Sequence, residues 1–232
     1  MVEIVTIRVI GILEEEVLQM QSKSISIAVI KRLPRYHRYL GELLAHDVVR
    51  ISSKELSEKM GVTASQIRQD LNNFGGFGQQ GYGYQVEYLY TEIGKILGLD
   101  QKNRLIILGA GNLGSALTNS TGIQRRGFEV IGIFDVNPEI IGTTIGGITV
   151  SHVDTLEKFI KENHVDIAVL TVPKTVAPVL ASKVVDYGVK AIWNFAPTDL
   201  QLPADVVQEN VHLTESLMRL SYKKRAAEEE GK

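Results

Sequence analysis

Three stretches of the sequence predict an α/β protein with a helical N-terminal domain and a C-terminal domain on a doubly wound parallel sheet. Residues 52–71 hold two short helical patterns joined at Gly61, as in a helix-turn-helix. Residues 74–84 interleave five glycines with aromatic residues, which suits a tight β-hairpin. Residues 105–117 pass from an apolar strand through a glycine-rich turn into a helix. Together they predict a winged helix followed by a Rossmann domain.

Length and composition allow both domains and exclude several classes of function. The chain has 232 residues, 44% of them hydrophobic, enough for one large domain or two small ones. No apolar run approaches the roughly 18 residues of a membrane helix. The absence of cysteine excludes disulfides, thiolate nucleophiles and cysteine-ligated zinc. The net charge of −2 argues against wholesale electrostatic binding to nucleic acid but leaves room for a local patch.

The first 24 residues are expected to lie outside the folded domains. Residues 14–17 read Glu-Glu-Glu-Val, which purine-rich codons resembling a bacterial ribosome-binding site could encode, and Met20 follows closely. We hypothesise that translation starts at Met20 and that residues 1–19 are not translated; a real N-terminal arm is the alternative. An intact mass that includes Met1 would contradict this hypothesis. Since no secretion signal is recognisable, we expect a cytoplasmic protein.

The first predicted domain, residues 25–98, opens with a helical pattern from Ile27. Its apolar residues share one face: Leu33, Tyr36, Leu40, Leu43 and Leu44. Ser52 and Glu55 then form a capping box before a short helix that stops at Gly61. Thr63 and Gln66 form a second box, which predicts another helix.

That second helix, which runs through Leu71, has the pattern of a DNA-recognition helix. Ala64, Ile67 and Leu71 are predicted to face inward. The remaining positions are polar and suit base edges and phosphates: Ser65, Gln66, Arg68, Gln69 and Asn72. An ordinary solvated helix face is the alternative.

The glycine-rich stretch that follows is predicted to form the wing. A hairpin over residues 74–84 would place Gln79 and Gln80 at its tip. A flexible linker is the alternative, but a linker would not need the aromatic residues. Residues 86–97 return to helical spacing and close the domain.

A dinucleotide-binding turn opens the second predicted domain, residues 99–210. Its G-x-G-x-x-G motif consists of Gly109, Ala110, Gly111, Asn112, Leu113 and Gly114. In such motifs the first glycine allows the tight turn, the second lets the backbone approach a pyrophosphate, and the third lets the helix pack closely. The next strand, residues 128–134, ends in Asp135, about 20 residues beyond the last glycine. A carboxylate there can accept hydrogen bonds from a ribose and repel a 2′-phosphate, so NAD(H) is favoured over NADP(H).

The rest of this domain is predicted to complete the sheet and a ligand crevice. Strands are expected over residues 145–150, 166–172 and 189–194, with helices over 153–161 and 176–187. In doubly wound sheets ligands bind outside the carboxyl ends of the strands. We therefore expect the crevice to include Asp135, Val172, Pro173, Asn194, Phe195 and Ala196.

The function of this crevice has alternatives: an unliganded glycine turn, a CoA- or nucleotide-binding module, and an NAD-dependent dehydrogenase. No acid/base constellation follows Asp135 and no second domain could hold a substrate, so we expect no enzyme. His152 and His164 lie alone beside helix ends, and no metal site is expected.

The final segment, residues 211–232, is predicted to be a helix that needs a partner. Leu213, Leu217, Met218 and Leu220 are apolar, and the helix is expected to end near Arg225. The acidic residues 228–230 are expected to form a disordered tail.

From about Ile27 to Tyr222 the sequence resembles the redox-sensing transcriptional repressor family Rex. The matching stretches are RLPRYHRYL, SSKELSEKMGVTASQIRQDL, FGGFGQQGYGY, GAGNLGSAL, FDVNP, HVDTLE, LTVP and WNFAP. The resemblance implies a homodimer that binds a palindromic DNA operator through paired winged helices and senses the NADH/NAD⁺ ratio, with NADH favouring release. It also implies that the final helix crosses into the other subunit, packing between its two domains.

The resemblance gives the expected DNA contacts: Arg35, Ser53, Lys54, Thr63, Ser65, Gln66, Arg68, Gln69, Asn72, Gly78, Gln79, Gln80, Gly81 and Tyr82. Members of the family usually carry further basic residues where Gln69 and the pair Gln79-Gln80 stand. Because each missing cation removes a phosphate contact, we expect weaker and less salt-dependent binding.

The sequence departs from the family at its switch residues. In the resembling proteins an aspartate near the start of the swapped helix pairs with a first-helix arginine on DNA and with a tyrosine when NADH is bound. Arg38 matches the arginine, but Ser120 stands at the tyrosine position and His212 at the aspartate position. We expect a blunted or rewired NADH response that is pH-sensitive between about pH 5 and 8. A neutral, merely packed His212 is the alternative.

Overall fold

The structure, a computed structural model, describes residues 25–74, 78–79 and 82–230. The chain divides into two compact units between Asp100 and Gln101. The hypotheses on residues 1–24, and the expected DNA contacts of Gln80 and Gly81, lie outside the described residues. Within the described ranges, no helix is both long and apolar enough to cross a membrane.

The first unit is a helical domain with a small sheet. Its elements are α1 (Ile27–Ile30), α2 (Leu33–Leu44), β1 (Arg50–Ile51), α3 (Ser53–Met60), α4 (Ala64–Asn72), β2 (Gly78–Gln79), β3 (Gly83–Gln85) and α5 (Val86–Ile96). The antiparallel sheet has the order β1-β3-β2, so β2 and β3 form the hairpin arms. The helices share a core with Tyr36, Leu56, Ile67 and Leu89 at its centre. This arrangement is the predicted winged helix.

The turn between α3 and α4 depends on local signals that the sequence contains. Ser52 accepts from the Glu55 backbone N–H at 3.1 Å, and the Glu55 carboxylate accepts from the Ser52 N–H at 2.8 Å. Gly61 ends α3 with a φ of 64°, a conformation that favours glycine. The second predicted capping box is wrong in one of its two hydrogen bonds, the one between the Gln66 side chain and the Thr63 backbone. Thr63 accepts from the Gln66 N–H, but the Gln66 side chain donates to Asp70 instead.

The second unit contains a seven-stranded sheet. Its elements are β4 (Asn103–Leu108), α6 (Asn112–Thr118), α7 (Thr121–Gln124), β5 (Phe128–Asp135), β6 (Thr144–Ile145), β7 (Ile148–His152), a 3-10 turn (Val153–Thr155), α8 (Leu156–Glu162), β8 (Ile167–Leu170), α9 (Ala177–Asp186), β9 (Ala191–Asn194), β10 (Val207–Asn210) and α10 (Leu213–Glu230). The strand order is β10-β9-β8-β4-β5-β7-β6. Every pair is parallel except β6 with β7.

Helices cover both faces of this sheet, which confirms the doubly wound Rossmann class. Alternate residues of β4 point to opposite sides: Ile106 and Leu108 pack with residues of α8 and α9, whereas Leu105 and Ile107 pack on the side of Leu117 in α6. The strands β4, β8 and β9 pair in parallel and in register, and β5 pairs in parallel with β4 after one register shift, so the carboxyl ends of these strands lie along one edge.

Three details of the second unit differ from the sequence prediction. The single strand expected over residues 145–150 is a hairpin, β6 and β7, because Gly146 and Gly147 both take positive φ. The edge strand β10 was not predicted. The final helix does not end near Arg225, and the expected disordered tail is wrong, because α10 continues to Glu230. Ion pairs four residues apart, such as Arg225 with Glu229 at 3.0 Å, support its last turns.

Candidate nucleotide and nucleic-acid sites

The glycine turn has the geometry that its spacing predicts. Gly109 has a φ of 102°, and a Cβ added there would lie 2.6 Å from the Thr171 carbonyl oxygen. A Cβ at Gly114 would collide with the Gly109 carbonyl oxygen, so this glycine lets α6 pack against the turn. A Cβ at Gly111 would meet nothing within 4 Å, which leaves the backbone approachable. Among the described residues, no side chain caps α6 at Gly111.

Asp135 holds the glycine turn from the neighbouring strand. Its Oδ2 accepts a hydrogen bond from the Ala110 N–H at 2.7 Å, and its Oδ1 accepts from the N–H groups of Val136 and Asn137. Thr171, at the end of β8, donates to the Gly109 carbonyl at 2.7 Å from the other side. The turn is therefore fixed between β5 and β8. Contact between Asp135 and a ribose stays a prediction.

The predicted crevice residues do lie at the carboxyl edge of the sheet. Asp135 ends β5, Val172 and Pro173 follow β8, and Phe195 and Ala196 follow β9. Val172 is half-buried and Pro173 exposed, whereas Ala196 is buried. The Phe195 ring packs edge-on against Trp193 with their centroids 4.6 Å apart.

Asn194 is placed differently from the other crevice residues. It is fully buried, and its amide bonds to Thr198, Asn210 and Ala196 of the same chain. Its geometry is that of a residue that shapes the loop after β9.

The candidate DNA face combines the exposed side of α4 with neighbouring residues. Ser65, Arg68, Gln69 and Asn72 are exposed, while Ile67 and Leu71 are buried as predicted. The Arg68 guanidinium donates to the Ser53 hydroxyl at 3.0 Å, so Ser53 orients this cation. Lys54 and Thr63 are also exposed.

Two arginines near this face bond to backbone carbonyls. Arg35, an expected DNA contact, donates to the Met60 carbonyl at 3.0 Å. Arg50 donates to the Tyr82 carbonyl at 3.2 Å, in the connection between β2 and β3. Arg50 is not predicted as a site residue from the sequence, because β1 is only two residues long and shows no strand pattern. Tyr82 itself is exposed.

A buried polar network that the sequence pattern does not predict fixes α4. Asp70 is fully buried and accepts hydrogen bonds from four donor atoms: Arg32 Nε at 2.6 Å, Arg32 Nη2 at 2.8 Å, the Tyr36 hydroxyl at 2.8 Å and Gln66 Nε2 at 2.8 Å. Gln66, an expected DNA contact, therefore has its amide engaged inside the domain.

The expected switch residues belong to different units. Arg38 is exposed on α2 in the first unit. Ser120 precedes α7 in the second unit and makes no side-chain cap there. His212 precedes α10, and its Nε2 lies 4.0 Å from Asp199 Oδ1. Because the Asp199 side chain is 84% exposed, this pair is weakly coupled.

An apolar groove of about 700 Å³ lies on one face of the second unit. Its lining includes Ser120, Ile123, Arg126, Trp193, Val207 and Glu209. The edge strand β10 forms one side of the groove, and α7 forms the other.

The fold and these two sites define the class of protein: a winged-helix transcription regulator with a Rossmann domain. Family models described as "CoA binding domain" and "Putative DNA-binding protein N-terminus" match residues 100–198 and 24–72. The redox-sensing transcriptional repressor Rex of Clostridioides difficile (strain 630) is 61% identical over 87% of this chain and 96% of its own length. That of Thermoanaerobacter sp. (strain X514) is 60% identical over 86% of this chain and 89% of its own length. The chain belongs to the Rex family of redox-sensing transcriptional repressors.

Solved structures of a similar protein agree with this assignment. RSP in complex with β-NAD⁺ and operator DNA is 58% identical, with a TM-score of 0.84 over 89% of this chain and 95% of that one. RSP in complex with β-NADH is 56% identical, with a TM-score of 0.83 over 89% of this chain and 97% of that one. The relatives are transcriptional repressors. In the described ranges no group of acidic residues and histidines could hold a metal ion.

Proposed function

We propose that this chain represses transcription by binding an inverted-repeat operator as a homodimer, and that NADH in the Rossmann domain favours release. The observation that carries the proposal is the glycine turn held by Asp135, in a chain that also has a winged helix. The likeness to RSP, crystallised with both a nicotinamide dinucleotide and operator DNA, supports it. Operator binding also requires the protein to share a compartment with DNA, in accord with the cytoplasmic location expected from the sequence.

The proposed DNA face is α4 with the residues around it. Gln69 and Asn72 can meet base edges from the exposed side of the helix, and Arg68, oriented by Ser53, can meet a phosphate. Arg50, bonded to the Tyr82 carbonyl between β2 and β3, adds a cation to the wing. Gln66 is a poorer candidate for base contact than the sequence suggested, because its amide already bonds to Asp70.

The proposed dinucleotide site is the carboxyl edge between β4, β5, β8 and β9. The open space at Gly111 lets a pyrophosphate reach the start of α6, and Asp135 lies beside the turn, where an adenosine ribose would bind. Phe195 and Val172 supply apolar surface next to it. These residues fit a dinucleotide, and the bound nicotinamide would supply the redox state to be sensed.

The proposed homodimer follows from apolar surface that one subunit leaves exposed. Leu213, Leu217, Met218 and Leu220 on α10 are each more than half exposed. The second unit also presents the apolar groove and the unpaired edge of β10. The family resemblance implies that a second copy of this chain covers α10, and we propose that the second copy also covers the groove and the edge of β10.

Operator affinity with and without nucleotide tests the proposal. Fluorescence anisotropy with an inverted-repeat duplex, its half-sites about one helical turn apart, should show tight binding that NADH weakens and NAD⁺ does not. Coenzyme A is the competing ligand, since one matching family model carries that description. If coenzyme A bound tightly while NADH did not, the dinucleotide assignment would fail. If no inverted repeat bound, the repressor assignment would fail.

Operator binding should depend weakly on salt. The expected slope of log K against log [salt] is shallower by roughly one to two units than for a relative with basic residues at these positions. Gln69→Lys should steepen it by about one unit, because one phosphate contact is added. Gln201→Lys, at an exposed position of the second unit, adds the same charge outside the winged helix and should change little. Equal slopes for Gln69→Lys and wild type would count against the proposed face.

Asp135→Ala should weaken NADH binding by about tenfold or more and narrow the preference over NADPH. The loss of a charge-assisted ribose bond accounts for the first effect, and the loss of repulsion toward a 2′-phosphate for the second. Asp154→Ala is the matched control, because it removes an exposed carboxylate that follows the next strand, β7. Fluorescence titration of both nucleotides measures the result. An unchanged preference would show that the crevice is misplaced.

The response to NADH should become sharper when the family's switch residues are restored. Ser120→Tyr with His212→Asp rebuilds a carboxylate that can pair with Arg38, a bond of about 1.5–3 kcal/mol in the state that holds it. Wild type should respond less, because the imidazole of His212 cannot form the carboxylate pair with Arg38. Ser120→Phe with His212→Asn is the matched control without the hydroxyl and the charge. A wild type that releases DNA as sharply as the restored variant would contradict this prediction.

A further inference from the structure

Asn194 joins three parts of the second unit through one buried amide. It is the last residue of β9 and is fully buried. Its Oδ1 accepts from the Ala196 N–H at 3.0 Å, and its Nδ2 donates to the Thr198 carbonyl at 2.9 Å and to Asn210 Oδ1 at 2.9 Å. Both hydrogens of the amide and its oxygen are therefore used inside the protein.

One side of this junction is the loop that follows β9 at the proposed nucleotide edge. Residues 195–199 leave β9 where the dinucleotide is expected, and the Asn194 amide holds both the start of the loop, at Ala196, and its middle, at Thr198. A ligand that displaces the backbone of Ala196 must therefore also move this amide, because the Ala196 N–H bonds to Asn194 Oδ1 in a buried position.

The other side of the junction is the segment that leads into α10. Asn210 is the last residue of β10, and the Val211 N–H donates to the Asn194 carbonyl at 2.8 Å. His212 and α10 follow directly. Along the backbone, residues 200–209 separate the loop from Asn210. The Asn194 side chain connects the loop to Asn210 directly through hydrogen bonds.

We propose that Asn194 is a positioning residue that transmits nucleotide occupancy from the loop after β9 to the beginning of α10, through its bond to Asn210. This inference rests on the proposed function, because it concerns how NADH in the Rossmann domain changes operator affinity. Asn194 acts through the loop and through Asn210, and it makes no contact with the nucleotide.

Two variants break the junction in different ways. Asn210→Ala removes the acceptor on the α10 side at a half-buried position and leaves the bonds of Asn194 within its loop intact. Asn194→Asp keeps the size of the side chain but replaces both N–H donors by an oxygen facing Thr198 and Asn210. Asn163→Ala is the matched control: its amide donates to the Phe159 carbonyl at the same length, 2.9 Å, at the end of α8 and away from the nucleotide edge.

Two quantities are measured first: the affinity for NADH, and the operator affinity without and with saturating NADH. The ratio of the operator affinity without NADH to that with NADH is the response to the nucleotide. Asn210→Ala should leave both NADH affinity and nucleotide-free operator affinity within about threefold of wild type, while the ratio of operator affinities falls by about fivefold or more. Asn163→Ala should preserve the ratio. If Asn210→Ala preserved the ratio as well, the inference would be overturned. A second result would also overturn it: in Asn194→Asp, a fold-loss of NADH affinity equal to the fold-loss of the operator-affinity ratio. Asn194 would then be a ligand contact.

Hydrogen exchange separates this inference from the proposed function. In wild type, NADH should slow exchange both in residues 195–199 and in residues 211–216; in Asn210→Ala it should slow only the first segment. NADH protection confined to residues 195–199 in wild type would overturn the inference while nucleotide binding stood. Protection of both segments without any change in operator affinity would support the junction and refute the repressor function. No protection anywhere would refute the proposed nucleotide site and the inference with it.

Discussion

A chain that ends at Glu209 should lose palindrome-specific operator binding by about 100-fold or more, while its winged helix still folds. When two winged helices are held in one dimer, binding of the first to its half-site places the second next to the other half-site. This raises the overall operator affinity by roughly 10²–10⁴-fold over separate domains. The core of the first unit is built from residues 33–97, so the cut does not touch it. Removal of α10 takes away the exposed apolar side chains that a second subunit would cover.

The structure suggests a finer cut and a point-variant test. A chain that ends at His212 keeps β10 and the bonds of Asn210 and Val211 to Asn194, so it isolates the contribution of α10. Leu217→Asn with Leu220→Asn should weaken both dimer formation and operator binding, whereas Glu215→Asn with Arg219→Asn, on the opposite face of the same helix, should not. Sedimentation and anisotropy measure the two quantities. Tight, palindrome-specific binding by the truncated chain would refute the dimer requirement.

The elements that the sequence predicts well are those whose signals are local. The glycine turn follows from three glycines, two of which must lack a Cβ because backbone oxygens lie too close. The start of α3 follows from the reciprocal bonds of Ser52 and Glu55. Buried strands such as β8 are continuous apolar runs, as parallel strands covered on both faces must be.

The elements that the sequence does not reveal depend on distant partners. The edge strand β10 reads Val-Gln-Glu-Asn, which has no apolar alternation, and it is a strand because β9 offers it a hydrogen-bonding edge. The last turns of α10 look like an acidic tail, but lysine and arginine four residues earlier pair with those glutamates. In both cases the partner decides the conformation.

Asp70 shows the same limit within the candidate DNA site. A charged residue on a short helix is normally exposed, so its pattern predicts a solvated side chain. It is buried here because Arg32 and Tyr36, more than 30 residues away in sequence, supply donors. This network connects α4 to the beginning of α2 and so fixes the helix that carries the proposed base contacts.

Asp70→Ala should lower the free energy of unfolding of the winged helix by about 3 kcal/mol, the lower part of the range for breaking a buried ion pair. We expect a loss in the lower part of that range because the Arg32 side chain is 23% exposed, so water can solvate its charge once the fully buried Asp70 is removed. Glu58→Gln, an exposed change on α3, is the control and should have little effect. Chemical denaturation followed by circular dichroism measures the loss. Trp193, the only tryptophan, reports the second unit separately and should show an unchanged transition.

The same pair should make the winged helix acid-sensitive. Burial raises the pKa of Asp70, but the hydrogen bonds from Arg32, Tyr36 and Gln66 outweigh burial, so the pKa lies below its ordinary value. A carboxylate with a depressed pKa stabilises the fold above the unfolded pKa of about 3.9, and this stabilisation is lost as pH falls through the lower folded value. Wild type should therefore lose stability toward low pH more steeply than Asp70→Asn, which cannot bind that proton. Parallel pH profiles for the two proteins would show that Asp70 is not held as the charged partner of Arg32.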